Sequence, residues 1–210
     1  LFAACAVPVS IQSVFAQEPP VEPLRTAAQV RTLTPQQAAA HRPVRLQGVV
    51  TYWEVYLRFL QDESAGIYLL ENTNLLAATP GQIIEVEGVT SPGEYAPIIV
   101  ATATRLVADG RLPAAQPVSV EDLLTGREDS QFVELGGIVR SVRASGEPKQ
   151  YEVDLVAGGE RFTTHTRQLP VAQAGELVDS TVKVRGVCAS LFNRERQLFG
   201  ADFRIDAERG

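Results

Sequence analysis

Aromatic and cationic side chains carry most of the recognition chemistry this chain has to offer. Four of its five tyrosines and its one tryptophan lie at Tyr52, Trp53, Tyr56, Tyr68 and Tyr95, with Arg58 among them. Flat rings along one edge can stack on sugars, bases or a peptide; rings turned inward would instead plug the end of a core. Cations gather further on: Arg140, Arg143 and Lys149, then Arg161, His165 and Arg167 with Thr163 on one face of a period-two stretch, then Asn193, Arg194 and Arg196. Guanidinium forks suit carboxylate and phosphate, so this set predicts an anionic ligand, a lipid headgroup or an acidic partner. Glu147, Glu152 and Glu195 are interspersed, which keeps a solvated face of mixed charge as the alternative.

Catalysis lacks its constellations. No nucleophile elbow, phosphate-cradling glycine loop or framed pair of acids occurs. His165 is the single histidine after His41, and no cysteine or carboxylate cluster at ligand spacing accompanies it, so no zinc site is expected. A titrating role is the use left to His165; His41 shows no partner. Cys188 follows Val182, Val184 and Gly186 at period two and reads as a small inward hydrophobe rather than a reactive thiol. Asp62, opening Asp62-Glu63-Ser64-Ala65-Gly66, reads as a turn former. The expectation is a non-enzymatic chain without cofactor or metal.

The elements that must position these groups are duplicated. Val44-Arg45-Leu46-Gln47-Gly48-Val49-Val50 resembles Val133-Glu134-Leu135-Gly136-Gly137-Ile138-Val139. Ile84-Glu85-Val86-Glu87-Gly88-Val89 resembles Val182-Lys183-Val184-Arg185-Gly186-Val187, and Thr104-Arg105-Leu106 sits like Phe203-Arg204-Ile205. Each copy reads as strands of period two. In the first, five strands are interrupted after the third by Asn74-Leu75-Leu76-Ala77-Ala78, room for a helical turn before Pro80-Gly81. That is the plan of the five-stranded Greek-key barrel, the OB-fold, and predicts an all-β chain of two such barrels joined by a short helix. In that barrel strands one and four are neighbours. Arg45 on strand one faces Glu85 and Glu87 on strand four in the first copy; Glu134 faces Lys183 and Arg185 in the second. Cross-strand ion pairs explain why the signs invert together.

Composition sets the address. The 210 residues are 45% hydrophobic and 21% charged, ordinary for a globular chain, with a net charge of −6 that disfavours a polyphosphate binder. Residues 43–113 hold 4 basic and 8 acidic side chains, net −4, and residues 130–210 hold 11 of each, net zero, so a site for anions belongs to the second barrel. Residues 1–16 are uncharged and end Val14-Phe15-Ala16 before Gln17-Glu18-Pro19-Pro20, which matches a truncated signal peptide cleaved after Ala16. Phe2-Ala3-Ala4-Cys5 is a poor lipoprotein box. Removal of that segment leaves Cys188 alone and no internal disulfide. Residues 17–42 then form a leader with a short helix capped at Thr34-Pro35. The first barrel spans 43–113, a linker with a Ser119-capped helix spans 114–129, and the second barrel spans 130–206.

Several stretches resemble the tandem OB-like extracytoplasmic region of bacterial membrane sensor histidine kinases. They are Gln61-Asp62-Glu63-Ser64-Ala65-Gly66-Ile67-Tyr68, Pro80-Gly81, Val86-Glu87-Gly88-Val89-Thr90, Gly126-Arg127-Glu128-Asp129-Ser130-Gln131-Phe132-Val133-Glu134, and Arg185-Gly186-Val187-Cys188 with Phe192-Asn193-Arg194-Glu195-Arg196-Gln197-Leu198. The resemblance covers residues 43–206 and implies a periplasmic sensory module for two-component signal transduction, with the membrane span and kinase beyond Gly210. It supplies no ligand. The expected partner is a small ligand or an envelope protein; nucleic acid is not expected, and membrane attachment runs through segments outside this stretch. The alternatives are a secreted periplasmic structural or adaptor protein and, against the charge and the export signal, a single-stranded nucleic-acid binder.

Overall fold

The computed structural model describes residues 22–71, 77–146, 150–193, 195 and 198–205. The expected signal peptide and its cleavage point lie outside those residues, as does most of the helical turn expected at 74–78.

Alternation of buried and exposed positions builds the first barrel from β1 (Pro43–Trp53), β2 (Arg58–Gln61), β3 (Gly66–Glu71), β4 (Ile83–Ser91) and β5 (Ile98–Ala108). It closes in the order β1-β2-β3-β5-β4, antiparallel throughout except where β3 runs parallel to β5. After β6 (Gln116–Pro117), the same plan recurs in β7 (Phe132–Ala144), β8 (Tyr151–Ala157), β9 (Glu160–Thr166), β10 (Thr181–Phe192) and β11 (Leu198–Ile205). There β10 pairs back to β7 and β9 runs parallel to β11, while β6 lies along β7. The chain is a tandem of five-stranded Greek-key barrels of OB type.

The inverted charges are indeed neighbours. Arg45 stands in register with Glu87, and its guanidinium reaches Glu85 at 3.0 Å and Glu87 at 3.4 Å. Glu134 stands in register with Arg185 and accepts from Arg185 at 2.7 Å and Lys183 at 2.9 Å. These pairs are solvent-exposed, so they record topology more than they stabilise it.

Each copy also needs glycine where two strands cross closely. A Cβ on Gly88 would meet the Val100 carbonyl oxygen at 2.3 Å, and one on Gly186 the Arg204 carbonyl oxygen at 2.6 Å. The coil of a small barrel brings backbone on backbone at these points.

The duplicated unit reaches in front of its first strand. Leu24 bridges in parallel to Val44, as Gln116 and Pro117 do to Val133 and Glu134. A capped helix follows each bridge: α1 (Ala27–Arg31) behind Thr26, and, after α2 (Pro35–Ala38) behind Thr34 in the first copy, α3 (Val120–Leu124) behind Ser119. All three have reciprocal capping boxes. Val30 and Leu123, each the fourth residue of its helix, are buried on their respective cores.

One apolar core fills each barrel. Val44, Leu46, Leu60, Ile67, Leu69, Ile84, Val86 and Ile99 pack the first. Val133, Leu135, Leu155, Phe162, Cys188 and Phe203 help to pack the second, with Phe162 edge-on to Phe203 at 6.0 Å. Each such side chain contributes roughly 1.5–3 kcal/mol relative to exposure. Cys188 is free and points inward, and burial pushes its thiol up to about 12, which removes thiolate reactivity near neutral pH.

Candidate functional site

In a barrel of this type ligands meet the face of strands two and three and the flanking loops. In the first barrel that face is covered. Tyr52 and Phe59 are buried in a cluster with Phe132 and Val187 of the second barrel, and Leu57, Tyr68, Leu112, Ala115 and Ala189 pack around it. The aromatic set therefore divides differently from an open stacking platform. Tyr52 and Trp53 belong to β1 rather than to a loop. Burial, with a hydrogen bond that the phenol donates to the Glu54 carboxylate, drives the Tyr52 phenol pKa well above its ordinary value. Tyr68 stands edge-on to Phe59 at 5.4 Å and donates to the Tyr56 carbonyl at 2.9 Å. Trp53 packs on the first core, and Arg58 lies over its ring at 5.4 Å. Arg58 is itself only 7% exposed and pairs with Glu71. Tyr95 packs its hydroxyl against the Gly126 turn after α3, where φ is +72° and a Cβ would sit 2.9 Å from the phenol oxygen. Tyr56, 84% exposed, alone of the six faces solvent freely.

Two of the stretches that carry the sequence resemblance, 61–68 and 126–134, meet at this junction. Gln61 Oε1 accepts from the Phe132 amide at 2.8 Å, and Gln131 Oε1 accepts from the Gly66 amide at 2.9 Å. Gly66 lies so close to Ser130 that a Cβ would fall 1.9 Å from its carbonyl oxygen. Ser130 is buried at a φ of +66°, held by its amide on the Cys188 carbonyl at 2.7 Å. Asp129 ties Arg31 at 3.5 Å to the Ser190 amide at 3.1 Å. On the far side Glu54 accepts from Arg167 at 2.7 Å and Gln150 at 3.1 Å. Asp62 does form the expected turn, through the Ser64 and Ala65 amides, and its second oxygen also accepts from the Ala27 amide at 2.7 Å, holding α1 in place. A polar groove of about 430 Å³ beside this junction is lined by Arg31, Asp62, Glu63, Arg127, Glu128 and Gln131, among others.

The described cations of the second barrel each lie near a carboxylate. Arg140 and Arg143 belong to β7, not to the loop after it. Arg140 meets Asp179 at 2.7 Å; Arg143 meets Asp154 at 3.0 Å and Glu152 at 3.3 Å; Arg161 reaches Asp154 at 4.0 Å. Burial opposes ionisation of Asp154, yet bonds from Ser141, Thr163 and Arg143 outweigh it and hold the carboxyl below its ordinary value. His165 stands 3.2 Å from Asp202, which also approaches Arg204 at 3.6 Å. Asn193 accepts from the Glu195 amide at 2.9 Å, a turn-forming bond. Lys149, Arg194 and Arg196 lie outside the described residues. Among the described residues no group of three His, Cys, Asp or Glu could hold a metal, and no helix is long and apolar enough to cross a membrane.

The sequence reading missed the junction residues Gln61, Gln131 and Ser130 as a lock.

No protein-family model matches this chain, and no curated protein matches it. Among solved structures it is similar to the hypothetical protein ygiW from E. coli, at 20% identity over 42% of this chain and 94% of that one, with a TM-score of 0.33. It is also similar to the p204 HINb domain, at 13% identity over 79% of this chain and 93% of that one, TM-score 0.32. A murine DNA-binding protein bound to double-stranded DNA matches at 10% identity over 75% and 92%, TM-score 0.36. Overlaps this slight carry no argument about a ligand.

Proposed function

We propose that this chain is a non-catalytic, extracytoplasmic interaction module, its two docked barrels acting as one body that receives a signal for a membrane sensor histidine kinase. The observation that carries this reading is the junction. The stretches that resemble such sensor regions, 61–68 and 126–134, lie against one another and fasten the barrels together. A module that must transmit a change of state needs this stiffness, because two loosely tethered domains dissipate a displacement in their linker. The uncharged run ending at Ala16 supports export. The burial of Tyr52 and Phe59 and the pairing of the cations among the described residues favour a compact ligand or an envelope protein over a nucleic-acid strand, which needs stacking planes and unneutralised cations.

The test is in the parent gene and its product. The reading frame after Gly210 should encode an apolar span of about 20 residues and a kinase core, and membranes carrying the product should label themselves with phosphate from ATP. A frame that ends without a span removes the kinase and leaves the secreted adaptor reading in its place.

A further inference from the structure

A cavity of about 440 Å³ in the second barrel is lined by Val182, Lys183, Val184 and Arg185, consecutive residues of β10, and by Ile205 at the end of β11. Successive side chains of a strand point to opposite faces, so a hollow that touches four in a row lies along the strand's edge. The ladder agrees. β10 pairs with β7 from Thr181 to Val187, but with β11 only from Val187 onward, where Val187 stands opposite Arg204. Backbone bonds of an antiparallel strand alternate between its two sides. Cys188 bonds the Gln131 carbonyl and the Ser130 amide on the β7 side, and Val184 faces the same way. Lys183 therefore turns its amide and carbonyl to the other edge, along the cavity, where no strand runs among the described residues.

In the first barrel the same edge is filled. Glu85, which holds the place of Lys183 in the repeat, stands opposite Arg105 of β5 and accepts from its guanidinium at 3.1 Å. The second copy inverts the signs, so the neighbour that Lys183 calls for is acidic. Residues 206–210 lie outside the described residues. The register that sets Val187 opposite Arg204, carried on, sets Asp206 opposite Arg185, Ala207 opposite the inward Val184 and Glu208 opposite Lys183. We propose that this cavity is the seat of the chain's own next stretch, Asp206-Ala207-Glu208, which extends β11 along the edge of β10. Lys183 and Arg185 share the Glu134 carboxylate, and two acidic side chains beside them complete a row of alternating charge. An extra residue, like the one in β5 between the partners of Glu87 and Gly88, would instead set Arg209 opposite Lys183, like charge against like. The path out of the second barrel is then clamped to β10, which goes beyond the sensor reading and needs no kinase.

Amide hydrogen exchange of the 210-residue chain is the test. The Lys183 amide should exchange within about tenfold of the Glu85 amide, its paired counterpart in the first barrel. Glu208→Pro removes the amide that donates to the Lys183 carbonyl and should speed Lys183 exchange at least about tenfold. Ala207→Pro, at a position whose amide turns away from β10, should change it less than about threefold. Glu208→Lys, which opposes like charges, should speed it up to about fivefold. The Val184 amide faces β7 and should stay slow in every variant, which shows that the barrel is intact. Lys183 exchanging as fast as an exposed loop amide, protection that survives Glu208→Pro, or a greater loss with Ala207→Pro than with Glu208→Pro would each overturn the proposal. Slowing that appears only as the protein concentration rises would also overturn it, and would give the edge to a second copy. The wild-type comparison of Lys183 with Glu85 stands even where a proline variant does not fold.

Discussion

Gly66→Ala adds a single methyl group where the barrels touch. Its Cβ would fall 1.9 Å from the Ser130 carbonyl oxygen and 2.7 Å from the carbonyl carbon, with the Gln131 Cα at 3.1 Å. Real Cβ atoms keep 3.0 Å or more from such neighbours, so the backbones must part by about 1.1 Å, the difference between 1.9 and 3.0 Å. That movement breaks the Gly66–Gln131 bond at 2.9 Å and strains the Phe132–Gln61 bond at 2.8 Å. Two hydrogen bonds at about 1 kcal/mol each and overpacking at roughly 1–3 kcal/mol put the cost at about 3–5 kcal/mol. For a chain of this size that lowers the melting temperature by about 6–20 °C. Gly66 has no left-handed φ, so β3 itself accepts alanine and the strain falls on the junction. Hydrogen exchange should therefore rise across 109–119 and at Phe132 while the β1–β5 amides stay protected. Gly136→Ala is the control, because nothing lies within 4 Å of its Cβ position. If Gly66→Ala melts like the control with the 109–119 segment still protected, the barrels are not fastened here.

Three further outcomes follow from the same contacts. Arg58→Ala strips the charge partner of Glu71 and the cover of Trp53; it should cost about 3 kcal/mol in urea unfolding, and Arg58→Met, which keeps the stem, should cost less. Glu85 is held from its ordinary 4.5 down to about 2 by hydrogen bonds from Arg45, Gln47 and Arg105. Its stabilisation is thus complete above pH 4.5 and lost as pH falls toward about 2; a carboxyl NMR titration checks the value, and Glu85→Gln should flatten the acid limb of the stability curve. A fluorescent single-stranded oligonucleotide should show no saturable anisotropy change at low salt, and salt-sensitive binding would restore the nucleic-acid reading.

Which strands adjoin was legible because exposed side chains answer to their neighbours. Arg45 and Glu134 carry opposite signs, and so do the residues of β4 and β10 beside them. The junction was less legible. Period two marks one buried face, but Arg58, Phe59 and Leu60 are buried in succession, and so are Val50, Thr51 and Tyr52 across the irregular register between Val50 and Tyr52. A strand covered on both sides shows outward aromatics in sequence, and nothing local says whether a ligand or another part of the chain will cover them. Arg58 was misleading for the same reason: a cation inside a strand suggests a ligand contact until Glu71 and Trp53 are found to enclose it. Thr164 was the reverse case. Its inward register follows from Thr163 and His165 facing out, but its missing partner could be seen only once the core around it was filled.

The junction and the cavity share walls, and this bears on how the module would work. Leu112 and Phe132 pack in the cluster between the barrels and also line the cavity. β10 gives Val187 to the first and Val182 through Arg185 to the second. Interiors packed at crystal-like density do not yield on one side without a response on the other. An occupant pressing on Phe132 would act on the residue whose amide is bonded to Gln61 at 2.8 Å, the point where the first barrel is held.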